Sequence, residues 1–116
     1  FYLSGALSQY ATGTFIGGIV ESPAGLRVEK VALTQESDGS SLATVIELYR
    51  INSSNVATLI TSASLSSGGG TNARVYGTTF AVELSRSISP GERIGIKLSA
   101  SQGGTPAGVT FTVLYG

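Results

Sequence analysis

Apolar and polar positions alternate along most of this chain with a period of two, the repeat of a strand that buries one face and wets the other. Leu42, Thr44, Ile46 and Leu48 alternate with Ala43, Val45, Glu47 and Tyr49, Asn52 to Asn55 form a polar cluster, and an apolar run returns over 56–60. Residues 40–60 therefore predict a strand, a turn and a second strand, with Asn and Ser supplying the turn. Ile94, Ile96 and Leu98 alternate with Arg93, Gly95 and Lys97, and Phe80, Val82 and Leu84 with Ala81, Glu83 and Ser85, a strand that can begin as early as Arg74. Val109, Phe111, Val113 and Tyr115 predict a last strand, and the runs 1–7 and 14–20, broken by Gly5, Gly13, Gly17 and Gly18, predict two at the start.

The segment after the turn at Ser22, Pro23, Ala24 and Gly25 breaks phase. Leu26 and Val28 fall on one face of a regular strand, Val31 and Leu33 on the other. A bulge near Glu29 and Lys30 brings all four to one side. A helix over 26–34 is the competing reading, but it would be short, preceded by glycine and rich in valine. Residues 36–41, 62–72 and 101–108 and the Pro90-Gly91 pair read as turns and loops. About eight strands at a spacing of roughly a dozen residues predict an all-β, antiparallel two-sheet sandwich, with a jelly roll the natural eight-strand solution.

The 116 residues suit one sandwich domain over 1–116, with no repeat and no linker. A chain that begins at Phe1 and holds no methionine is expected to be a processed product or an excised part of a longer protein. Seven basic residues balance seven acidic ones and only 12% of the chain is charged, so nucleic acid and anionic lipid are not expected partners. No apolar run approaches the roughly 20 residues of a membrane helix, and no membrane insertion is expected.

Histidine and cysteine are both absent, which removes the commonest general base, the commonest metal ligand and the thiol nucleophile together. The chain reads as non-enzymatic, with no catalytic residue, no metal site and no cofactor. Ser101 in ASQGG lacks a histidine to activate it, so it reads as a loop serine. Glu36 and Asp38 fall short of the six to eight oxygens calcium takes. Glu29, Glu47 and Glu83 sit at strand positions and read as outward charges, not a paired-carboxylate site. Gly68, Gly69 and Gly70 precede no lysine or helix start, and Gly17 and Gly18 lack dinucleotide spacing. Asn52-Ser53-Ser54 matches a glycosylation acceptor, but an Asx-type turn accounts for it.

Binding is the remaining class. The second face of the 42–51 strand is also apolar, so Val45, Tyr49 and Ile51 are candidate subunit contacts. Loops on a rigid sandwich commonly carry recognition, which nominates Gly68, Gly69, Gly70, Thr71, Asn72, Gln102 and Thr105 for contact with a partner or receptor. Tyr10, Tyr49 and Tyr76 are the rings least committed to a core face; exposed rings stack on sugars, but packing inside the sandwich or at a subunit contact is the preferred reading for these three.

The order of these motifs resembles the small jelly-roll domains of bacteriophage tail fibres, head fibres and related virion proteins. The likeness spans about residues 23–115: a PAG-led strand, the hairpin SLATVIELYRINSSNVATLI, a glycine-rich loop, the strand PGERIGIKL and the closing strand AGVTFTVLY. Thr58 and Ile60 match the family's second hairpin strand. The turn at 52–55 is longer than the usual Asn-Gly, Trp is missing, and Glu47 stands where an aspartate is expected. The resemblance implies a homotrimer on the virion surface that contacts host receptor, glycan or other virion proteins through its loops. A monomeric carbohydrate-binding or cell-surface adhesion sandwich is the alternative, and a trimeric signalling or exosporium-type jelly roll a third.

Overall fold

A computed structural model describes residues 2–6, 15–16, 19, 25–36, 43–66, 74–77, 87–100 and 110–115. The described residues form nine strands: β1 (Tyr2–Ala6), β2 (Phe15–Ile16), β3 (Leu26–Thr34), β4 (Ala43–Ile51), β5 (Ala57–Ser66), β6 (Arg74–Gly77), β7 (Ser87–Ile88), β8 (Arg93–Ala100) and β9 (Thr110–Tyr115). One sheet has the order β1-β9-β3-β6, with β7 also paired to β3, and the other β2-β8-β4-β5. Every ladder is antiparallel. The expected two-sheet antiparallel sandwich is what the chain adopts.

The ladders are nested. β1 pairs with β9, β2 with β8, β3 with β6 and β4 with β5, and successive ladders alternate between the two sheets. Side chains from both inner faces make one core: Val28, Val31 and Leu33 of β3, Phe111 and Val113 of β9, Ile46 and Leu48 of β4, Ile60, Ala63 and Leu65 of β5, Ile94, Ile96 and Leu98 of β8, and Ile88 of β7. Fully burying each large aliphatic of this set contributes about 1.5–3 kcal/mol, which is why the period-two pattern dictates the fold.

Three bulges adjust the pattern to the core. In β3, Val28 pairs with Tyr115 and Lys30 with Leu114, leaving Glu29 as the extra residue, so Val28 and Val31 both point inward. The phase break at Glu29 and Lys30 is thus a bulge, and the segment is a strand, not a helix. In β5, Leu48 pairs with Thr61 and Tyr49 with Leu59, and the skipped Ile60 is buried beside Thr61. In β8, Val45 pairs with Ala100 and Ile46 with Leu98, and the skipped Ser99 donates its hydroxyl to the Val45 carbonyl at 3.3 Å.

One expectation is corrected. The second hairpin strand does not stop at Ile60: β5 runs to Ser66, so residues 62–66 are strand and not loop. Thr61, Ala63 and Leu65 are buried while Ser62, Ser64 and Ser66 are exposed, and the ladder with β4 continues to Ala43 and Ser66. The alternation of small residues with serines is a strand pattern in the composition of a loop. The expected strand at 80–85 lies outside the described residues.

Two turns fix the β4–β5 and β7–β8 connections. Asn52 accepts the N–H groups of Ser54 at 2.9 Å and Val56 at 3.0 Å on its Oδ1, and its carbonyl accepts the Asn55 N–H at 2.9 Å. Asn55 takes φ 62°, a left-handed conformation that asparagine tolerates. Ser89-Pro90-Gly91-Glu92 closes with the Glu92 N–H on the Ser89 carbonyl at 3.1 Å. Gly91 at φ 84° after proline is the arrangement of a type II turn.

Candidate interaction faces

The chemistry-bearing residues lie on the outer faces of the sandwich and at one end of it. On the β2-β8-β4-β5 sheet, register places Glu47 opposite Lys97, Tyr49 opposite Gly95 and Ile51 opposite Arg93. Ile46 and Leu48 point into the core, so Val45, Glu47, Tyr49 and Ile51 share the outer face. The Lys97 Nζ stands 3.9 Å from the Glu47 carboxylate and 5.4 Å from the centre of the Tyr49 ring. Burial raises the Tyr49 hydroxyl above its ordinary pKa, and the charge of Glu47 and a hydrogen bond with it push the same way. Cation, anion and phenol form one half-covered cluster, worth little in water and more beneath a partner.

The three candidate subunit contacts are not equally available. Val45 and Tyr49 are half-buried, whereas Ile51 is 3% exposed without belonging to the core cluster. Ile51 has almost no surface left to give a partner. Ile19, bridged to Arg93 on the same sheet, is 63% exposed and is the apolar side chain the alternation did not single out.

On the other sheet, Ala32 pairs with Tyr76 and Thr112, Thr34 with Arg74 and Thr110, and Lys30 with Leu114, so these residues share that sheet's outer face. The Lys30 Nζ lies 4.5 Å from the centre of the Tyr76 ring, which is 47% exposed. Thr34 and Thr110 join their hydroxyls at 2.6 Å, with either oxygen able to donate.

At the end of the sandwich, Arg50 occupies the inward phase of β4 opposite Ile94. Its Nε donates to both Glu92 oxygens at 3.0 and 3.1 Å, and its Nη2 stands 3.0 Å from Oε1. Glu92 also accepts the Ser89 N–H at 2.9 Å. Hydrogen bonding by Arg50 holds the Glu92 carboxyl below its ordinary range, with burial opposing and Ser89 reinforcing. Sequence reasoning missed this clamp, although a charge in phase with Thr44, Ile46 and Leu48 already required a partner.

Among the acids, Glu29 pairs with Arg27 at 3.6 Å on the first sheet, and Glu47 lies on the opposite sheet, so these two do not meet across a cleft. Glu36 is exposed. Among the described residues, no group of three or more metal-ligating side chains is close enough to hold an ion, and no helix is long and apolar enough to cross a membrane. Gly68, Gly69, Gly70, Thr71, Asn72, Gln102 and Thr105, together with Tyr10, Gly17, Gly18, Asp38, Glu83 and Ser101, lie outside the described residues. Comparison of the chain with protein-family models, curated proteins and solved structures finds no match.

Proposed function

We propose that the chain is a jelly-roll module of a bacteriophage fibre or decoration protein, without catalytic activity, that assembles as a homotrimer and attaches the virion to a host surface or to other virion proteins. The observation that carries the reading is the nesting of ladders β1-β9, β2-β8, β3-β6 and β4-β5 across alternate sheets. Rolling one long antiparallel hairpin across a sandwich would produce that order, which supports the jelly-roll reading. The half-covered cluster of Val45, Glu47, Tyr49 and Lys97 supports assembly, since a partner that excluded water would strengthen its charge contacts. Immunogold labelling of particles released from the source culture tests the virion assignment. Gold on a fibre or capsid surface is the expected result, and label confined to cell debris would overturn it.

A second reading, a monomeric carbohydrate-binding or adhesion sandwich, is favoured by the exposed Tyr76 ring beside Lys30. Saccharide binding by a strictly monomeric protein would select it.

A further inference from the structure

We propose that the outer face of β3 and β6 binds an acidic saccharide, with the Tyr76 ring as stacking platform and Lys30 and Arg74 as carboxylate partners. The inference rests on the attachment part of the proposed function and names the chemistry of the surface to which the protein attaches. Register sets the geometry: Tyr76 lies opposite Ala32, Arg74 opposite Thr34, and Lys30 two residues along β3 from Ala32. Ala32 is 5% exposed, so a small side chain forms a floor beside the 47% exposed tyrosine. An exposed aromatic ring of this kind is a surface on which a sugar ring can stack.

Charge decides the class of sugar. The acid next to Lys30 in sequence, Glu29, is paired with Arg27 at 3.6 Å, and among the described residues no carboxylate forms an ion pair with Lys30 or Arg74. Lys30 instead rests against the tyrosine ring at 4.5 Å, a cation held by a neutral partner. Among the described strand residues that the β3–β6 and β3–β9 ladders register across this face, the charged ones are Lys30 and Arg74. A carboxylate on the ligand complements them, and Arg74 can engage one through two parallel hydrogen bonds. The Thr34 and Thr110 hydroxyls, joined at 2.6 Å, leave one O–H free to serve a sugar hydroxyl whichever oxygen donates between them. A ring flanked by cations and hydroxyls favours a uronic-acid sugar over an acidic peptide, which has no use for the exposed aromatic face.

Titration calorimetry at low salt, with tetragalacturonate as probe against maltotetraose and a tetraglutamate peptide, tests the assignment. Tetragalacturonate is expected to bind about tenfold or more tightly than the neutral sugar and to weaken severalfold for Lys30→Gln and Arg74→Gln and by about tenfold for Tyr76→Ala, while Tyr76→Phe, which keeps the ring, stays close to wild type. Equal affinity for the neutral and acidic sugars, or peptide binding as tight as saccharide binding and indifferent to Tyr76→Ala, would overturn it. So would no heat at millimolar tetragalacturonate. Light scattering on each protein keeps the readings separate: a silent but trimeric protein overturns only this inference, whereas a monomer that binds overturns only the trimer.

Discussion

Deleting Glu29 tests whether its bulge is the device that reconciles the two hydrophobic phases of β3. Val28 pairs with Tyr115 and Lys30 with Leu114, successive residues of β9, so removing Glu29 leaves a regular ladder in which Val28 and Val31 still face inward. Both valines are fully buried. The losses include the exposed Arg27–Glu29 contact at 3.6 Å and some local twist. Together they amount to about 1–2 kcal/mol. Deleting Thr112 is the matched comparison, because β9 lies between β1 and β3 and no bulge adjoins this position. Phe111 and Val113, 5% and 0% exposed, would then become neighbours and could not both reach the core. Ejecting either side chain and leaving a cavity costs about 3–5 kcal/mol. Urea unfolding followed by far-ultraviolet circular dichroism and tyrosine fluorescence measures both. The Glu29 deletion is expected to remain folded with a midpoint well above that of the Thr112 deletion, and a Glu29 deletion as damaging as the Thr112 deletion would refute the reasoning.

Other outcomes follow from the turns and the clamp. Gly25 and Gly91 have similar positive φ values, 77° and 84°, but a Cβ on Gly25 would stand 2.5 Å from the Ile88 carbonyl oxygen while one on Gly91 meets nothing within 4 Å. Gly91→Ala should therefore lose about 1 kcal/mol from backbone strain alone, and Gly25→Ala clearly more, by urea unfolding. Asn52→Ala removes the acceptor for two N–H groups and is expected to lose about 1 kcal/mol, with Asn52→Asp recovering most of it. Because the Glu92 carboxyl is held below its ordinary range, the Arg50 clamp stabilises the fold fully at pH values above the unfolded carboxylate pKa and is lost as pH falls through the lower, folded one. The stability gap between wild type and Glu92→Gln should accordingly be constant near neutral pH and shrink in acid, and a gap that widens in acid would contradict the assignment.

The elements that sequence reasoning reached are those whose physics is local. Leu26, Val28, Val31 and Leu33 encode the β3 bulge, because two short apolar phases offset by one residue have no other strand solution. The Asn52 turn was legible for the same reason. β5 is longer than its sequence suggests because Ser62, Ser64 and Ser66 have the composition of a loop, and only the buried Thr61, Ala63 and Leu65 between them reveal the strand. Partnerships across the chain were not legible. Nothing near Arg50 names Glu92, 42 residues away, nor does Lys30 name Tyr76. Ile51 shows the limit from the other side: its phase matches that of Val45 and Tyr49, but its burial depends on neighbours brought together only by the fold.

Assembly carries the functional account, and the mass of the protein in solution tests it most directly. Size-exclusion chromatography with light scattering at micromolar concentration should return three times the 11.8 kDa chain mass. A single monomeric species across that range would contradict the account.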